Sequence, residues 1–73
     1  MENTIRNILI EVVGKEAGAA GKQDDLREFG LDSVAFIKMV VALEEAFDKE
    51  VDDEYLLLDE MNTIEKIEEA MSC

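Results

Sequence analysis

The stretch Asp32-Ser33-Val34-Ala35-Phe36-Ile37-Lys38-Met39-Val40-Val41-Ala42-Leu43-Glu44-Glu45-Ala46-Phe47 decides the fold of this 73-residue chain. From about Ser33 to Phe47 it holds neither proline nor glycine. Phe36, Met39, Val40, Leu43 and Phe47 recur at the spacing of one helical face, which predicts a core-facing helix with those five buried. Asp32 stands ahead of the run, where a short acidic side chain caps the first free N–H groups. Val34, Ile37 and Val41 form a second, neighbouring stripe beside Lys38, Glu44, Glu45 and Asp48, more apolar surface than one core contact requires. Two readings are open for it: a partner covers the stripe, or the helix is packed on two sides, with Ile37 the most buried of the three.

Upstream, Ile5, Ile8, Leu9, Val12 and Val13 repeat the i, i+3, i+4, i+7 pattern and predict a first helix ending near Gly14. Residues 14–32 then carry Gly14, Gly18, Gly21 and Gly30 without a helical or strand period, which reads as a long loop pinned by Leu26, Phe29 and Leu31. Downstream, Tyr55-Leu56-Leu57-Leu58 after Asp52-Asp53-Glu54 fits a short third helix. Asn62 or Thr63 caps a last one with Ile64, Ile67 and Met71 inward, and Asn62 with Glu65 has capping-box spacing. The expectation is an all-α four-helix bundle, a single domain over residues 1–73, with a long loop between helices 1 and 2 and a short third helix.

Composition narrows the function. Nineteen acidic residues against seven basic ones give a net charge of −12, which repels nucleic acid and anionic membranes and favours basic protein partners. Hydrophobic residues at 48% still provide for a core, so acidity does not imply disorder. There is no histidine and one cysteine, Cys73, so no His-based catalytic group, Cys/His metal site or disulfide framework can be assembled. So small a chain buries only about 60% of its unfolded surface, too little for a deep active site. Residues 1–13 mix Glu2, Arg6 and Glu11 among apolar residues, which reads as neither signal peptide nor membrane span and as a cytoplasmic protein; a monomer is expected. The acids at Asp48, Glu50 and 52–54 lack the spacing of a calcium loop, so no metal is expected. Gly18-Ala19-Ala20-Gly21-Lys22 lacks the first glycine and the Ser/Thr of a phosphate loop. Cys73 reads as an exposed tail thiol.

Ser33 ends the long loop and opens the longest helix, where free N–H groups and the helix dipole favour an attached phosphate. At this point the sequence resembles the acyl and peptidyl carrier proteins, which bear 4′-phosphopantetheine on the serine of an Asp-Ser-Leu motif, here Asp32-Ser33-Val34. The resemblance runs from Asp24-Asp25-Leu26-Arg27-Glu28-Phe29-Gly30-Leu31 through the motif to Val40-Val41-Ala42-Leu43-Glu44-Glu45-Ala46-Phe47 and on to Asn62-Thr63-Ile64. It implies a non-catalytic shuttle: Ser33 receives the arm from coenzyme A through a phosphopantetheinyl transferase, and Asp32 serves as motif residue and cap. The arm's thiol then holds acyl or aminoacyl groups as thioesters. The implied partners are that transferase, an acyl- or aminoacyl-loading enzyme, and downstream synthases or transferases. They would meet a surface of Val34, Ile37, Lys38, Val41, Glu44, Glu45 and Asp48.

Fatty acid carriers usually place acids two and five residues after the serine, where this chain has Ala35 and Lys38. Val34 replaces leucine, Ala46 follows Glu44-Glu45, and no proline follows Val51. These departures point to a dedicated polyketide, nonribosomal peptide or aminoacyl pathway, with housekeeping fatty acid synthesis as the alternative. A further alternative is an unmodified acidic module presenting Val34, Ile37 and Val41 to a partner helix.

Overall fold

The computed structural model describes residues 1–72, so the expectation for Cys73 lies outside the described residues. It holds three α-helices, α1 (Glu2–Val12), α2 (Ser33–Phe47) and α3 (Ile64–Ser72), joined by four short 3₁₀ turns, with no strand among the described residues. The helix bounded by Asp32 and Phe47 forms as its sequence predicts, with the Asp32 carboxylate accepting from Ala35 N–H at 2.8 Å. Asp48 ends it in the left-handed region (φ 51°), and the N–H groups of Asp48 and Lys49 both close on the Glu44 carbonyl. Aspartate is one of the few non-glycine residues that take this conformation readily.

The expected four-helix bundle is corrected to three helices. In place of a short third helix, the chain makes two separate 3₁₀ turns, Asp53–Tyr55 and Leu58–Glu60. A helical nucleus fixes several residues for its first hydrogen bond, and this segment is too short to recover that cost. Asp52 caps the first turn locally, and Leu57 takes an extended conformation between the two. The loop between α1 and α2 also has local structure, as turns Ala17–Ala19 and Leu26–Phe29. α1 begins at Glu2, earlier than its apolar stripe, and its first turns carry an i, i+4 ion pair between Glu2 and Arg6 at 2.9 Å.

α1 packs against both α2 and α3. The core is built from Ile5, Ile8 and Leu9 of α1, Ala35, Met39, Val40 and Leu43 of α2, and Ile64, Ile67, Ala70 and Met71 of α3. Leu26, Leu31, Val51 and Met61 enter it from the connections. Phe36 and Phe47, expected to be buried, lie half-buried against its edge. Of the two readings open for the second stripe, packing on two sides is not what forms: Val34 and Ile37 are each 64% exposed and Val41 51%. α2 is covered on one side by α1, and no element among the described residues covers its other stripe.

Polar ties fix the connections. The Arg6 guanidinium donates to the carbonyls of Gly18 and Ala20, at 3.0 and 2.6 Å. The segment 18–22 is thus pinned through its carbonyl oxygens, the opposite polarity to a phosphate cradle. Thr63 Oγ1 accepts from Lys66 N–H at 3.1 Å and caps α3. Asn62 instead turns inward, accepts from the Lys66 ammonium, and offers its own carbonyl to Leu26 N–H at 2.7 Å, so its capping box with Glu65 does not form.

The Arg27 guanidinium, with the Arg27 N–H, holds the Asp25 carboxyl down at about 2, against an ordinary 3.8. On acidification the unfolded chain therefore takes up this proton first. The contribution of the pair to stability is complete above about pH 4 and lost as the pH falls towards 2. Asp25→Asn is expected to flatten that part of the acid limb in a series of thermal melts against pH, and an unchanged limb would remove the pair from the account.

Candidate functional site

The site is built from the loop that ends at Ser33. Asp25 caps the turn Leu26–Phe29, and Gly30 closes it at φ +110°, donating to the Arg27 carbonyl at 3.2 Å. Only glycine takes such a conformation without strain. A side chain there would in addition meet Val13 at 3.6 Å, so the end of α1 lies against the loop at this point. Leu31 then folds back, donates to the Leu26 carbonyl and is buried, which leaves Asp32 extended as the α2 cap.

Ser33 follows as the first residue of α2 and is exposed. Its hydroxyl has no hydrogen-bond partner among the described residues, and neither have the N–H groups of Ser33 and Val34. Asp32 and Ser33 therefore divide the work at this helix start. The carboxylate satisfies the Ala35 N–H, while the serine keeps a free nucleophilic oxygen beside two free donors and the positive end of the dipole. A phosphodiester fits there: the oxygen to carry it, donors for its charge and open space are all present.

The remaining sequence-predicted residues fall into two sets along α2. Val34, Ile37 and Lys38 are exposed on the half nearer Ser33, and Val41 is exposed just past the middle of the helix. Glu44, Glu45 and Asp48 gather at the far end, where with Val41, Lys49 and Glu50 they line an open groove of about 430 Å³. Glu44 has a second task that sequence reasoning missed: its carboxylate accepts from Val51 N–H at 2.9 Å and ties the next connection to α2. A carboxylate seven residues from the backbone it binds leaves no pattern in the sequence.

Met1 and Ser72 lie away from Ser33. Ser72 Oγ is 3.8 Å from Met1 Sδ, and the Lys49 ammonium beyond the end of α2 donates to the Met71 carbonyl at 2.9 Å. The fifteen residues of α2 put about 22 Å between this pole and the serine.

No described helix is long and apolar enough to cross a membrane. Among solved structures, none matches significantly. The family described as phosphopantetheine attachment site matches residues 3–71, nearly the whole chain. Its members carry covalently attached 4′-phosphopantetheine, are generally not catalytic themselves, and interact with transferases and synthases. With a free serine at a capped helix start and a match of that extent, the chain belongs to the phosphopantetheine-attachment family of acyl and peptidyl carrier proteins.

Proposed function

We propose that residues 1–73 are a single, monomeric, cytoplasmic and non-catalytic carrier domain, with Ser33 as the attachment residue. The cargo is acyl or aminoacyl intermediates of a dedicated polyketide, nonribosomal peptide or aminoacyl pathway. The observation that carries this reading is the free Ser33 hydroxyl beside unpaired N–H groups at the start of α2. On loading, the Ser33 oxygen loses its proton and bonds to phosphorus while the pyrophosphate bond of coenzyme A breaks and the nucleotide half leaves. When bound, the arm supplies a terminal thiol that holds cargo as a thioester, activated for acyl transfer. The chain's own part is to present Ser33, to hold the helix start through Asp32, and to display α2 to each enzyme in turn. The test is the intact mass after incubation with coenzyme A and a broad-specificity phosphopantetheinyl transferase. One added phosphopantetheine supports the reading, and none would sink it.

The dedicated pathway is supported by α2 itself, where Ala35 and Lys38 take positions at which fatty acid carriers place acids. The acids at Glu44, Glu45 and Asp48 serve as a secondary contact for basic partner residues. Reversing Glu45 is expected to slow transfer by a cognate loading enzyme at low salt while unfolding stays unchanged. Reversing Glu44 should slow transfer and also destabilise the domain by about 1 kcal/mol, since Val51 N–H loses its acceptor. Equal melting temperatures for the two variants would contradict that division.

A further inference from the structure

Five of the seven basic residues are committed inside the fold. Arg6 binds Glu2 and two loop carbonyls, Lys22 pairs with Glu2 and Glu68, and Arg27 pairs with Asp25 and Asp59. Lys49 donates to the Met71 carbonyl, and Lys66 to Asp59 and Asn62. Lys15 and Lys38 alone make no hydrogen bond or ion pair among the described residues. For Lys38 the helix explains why: the positions three and four residues to either side are Val34, Ala35, Val41 and Ala42, none of them a carboxylate. An uncommitted ammonium thus stands among three aliphatic side chains that are each at least half exposed. Val34, Ile37, Lys38 and Val41 share one face, at i, i+3, i+4 and i+7. Helical side chains lean towards the N-terminus, so the ammonium lies over the turn that begins at Ser33. The whole strip lies within about 12 Å of the serine along the axis.

We propose that this strip is a docking surface for a partner face of aliphatic side chains with one carboxylate set opposite Lys38, and that an enzyme acting on Ser33 reads it. The inference rests on the carrier reading above. A basic partner face would leave the aliphatic groups uncovered and repel Lys38. A purely aliphatic one would strip the ammonium of water without a counter-charge. A carboxylate within an apolar face satisfies both, and an enzyme seated on Ser33 covers these residues by position alone. The acidic groove beyond Val41 then adds a basic contact at the far end of the same helix.

The experiment measures arm transfer from coenzyme A by the broad-specificity transferase, read by mass, for the wild type, Ile37→Ser, Lys38→Glu and Lys15→Glu. All three side chains are exposed, so unchanged circular dichroism is expected throughout. Ile37→Ser and Lys38→Glu are each expected to raise KM for the carrier about tenfold with kcat unchanged. Lys15→Glu, with the same change in charge, should stay within about twofold at physiological salt. Equal effects at Lys15 and Lys38 would reduce the strip to long-range charge and overturn the proposal. So would faster loading of Lys38→Glu, which means a basic partner face, or unchanged loading of both strip variants. A wild type that takes no arm at all overturns the carrier reading itself, and is distinguished from these results by the missing mass gain.

Discussion

Ser33→Ala is expected to abolish the gain of a phosphopantetheine completely while leaving the helical circular dichroism and the melting temperature of the domain unchanged. The two halves of that result have separate causes. Transfer needs an oxygen nucleophile on the first residue of α2, and alanine has none. The fold does not need that oxygen: it is exposed and unpartnered, and the cap is supplied by Asp32 through Ala35 N–H at 2.8 Å. An N-cap contributes about 1 kcal/mol, and that contribution is located on Asp32. Alanine is also the stronger helix former, which offsets any small loss at the position. Measured together, intact mass and thermal melting separate chemistry from structure. A variant that failed to load but had also melted would make Ser33 a structural residue, and a variant that still gained the arm would move the attachment site elsewhere.

What the sequence made legible follows from how local each determinant is. α2 and its cap and the inward face of α3 rest on periodicity or on a cap beside its helix, and the structure has them there; of the loop anchors, legible only as apolar residues in a polar stretch, Leu26 and Leu31 are buried and Phe29 half-buried. The short third helix was misread because Tyr55-Leu56-Leu57-Leu58 is as apolar as a helical core face but too short to propagate one. The second stripe of α2 stayed open between a partner contact and two-sided packing because an apolar stripe shows what would gain from burial, without showing whether another element arrives to cover it. The ties from Arg6 to Gly18 and Ala20, from Glu44 to Val51 and from Arg27 to Asp59 join residues 7 to 32 positions apart. Side-chain bonds at those separations depend on the path of the loop and leave no spacing rule to read. At the site the division was the same, with Ser33 and Asp32 legible together, and Gly30 recognisable as a loop glycine but not as the residue whose φ of +110° aims them.

The same ties explain how so acidic a chain keeps its shape. Its cations act as clamps: Lys22 joins α1 to α3 through Glu2 and Glu68, and Arg27 joins the loop before Ser33 to Asp59. Hydrogen bonding to Glu68 holds the Lys22 ammonium above its ordinary value, and hydrogen bonding to Arg6 holds the Glu2 carboxyl below its own. These pairs are exposed, so each contributes little singly, and their use is to set the register of connections that lack regular structure. With five cations used in this way, the charge left for partners on α2 is one lysine near Ser33 and a set of carboxylates at the far end.

Leu26→Ala is expected to destabilise the domain by about 3 kcal/mol, as much as a substitution in the middle of a core helix, although Leu26 lies in none of the α-helices. Its side chain is fully buried. Its N–H donates to the Asn62 carbonyl at 2.7 Å, and its carbonyl accepts from Leu31 at 3.1 Å. The residue therefore holds the loop to the start of α3 and closes the turn that leads through Gly30 to Ser33. Truncation removes the buried methyl groups and leaves a void that the loop, bonded on both sides of it, cannot collapse to fill. A domain of this size has a total stability on the order of 4–11 kcal/mol, so the loss is a large share of it. Urea unfolding measures it directly. Phe29→Ala, at a half-buried position in the same turn, is the comparison and should lose clearly less. A loss under about 1 kcal/mol for Leu26→Ala would mean that the loop is draped over the helices and does not anchor them. Ser33 would then owe its position to the Asp32 cap and α2 alone, and loading of the folded fraction would be unaffected by changes anywhere in residues 14–31.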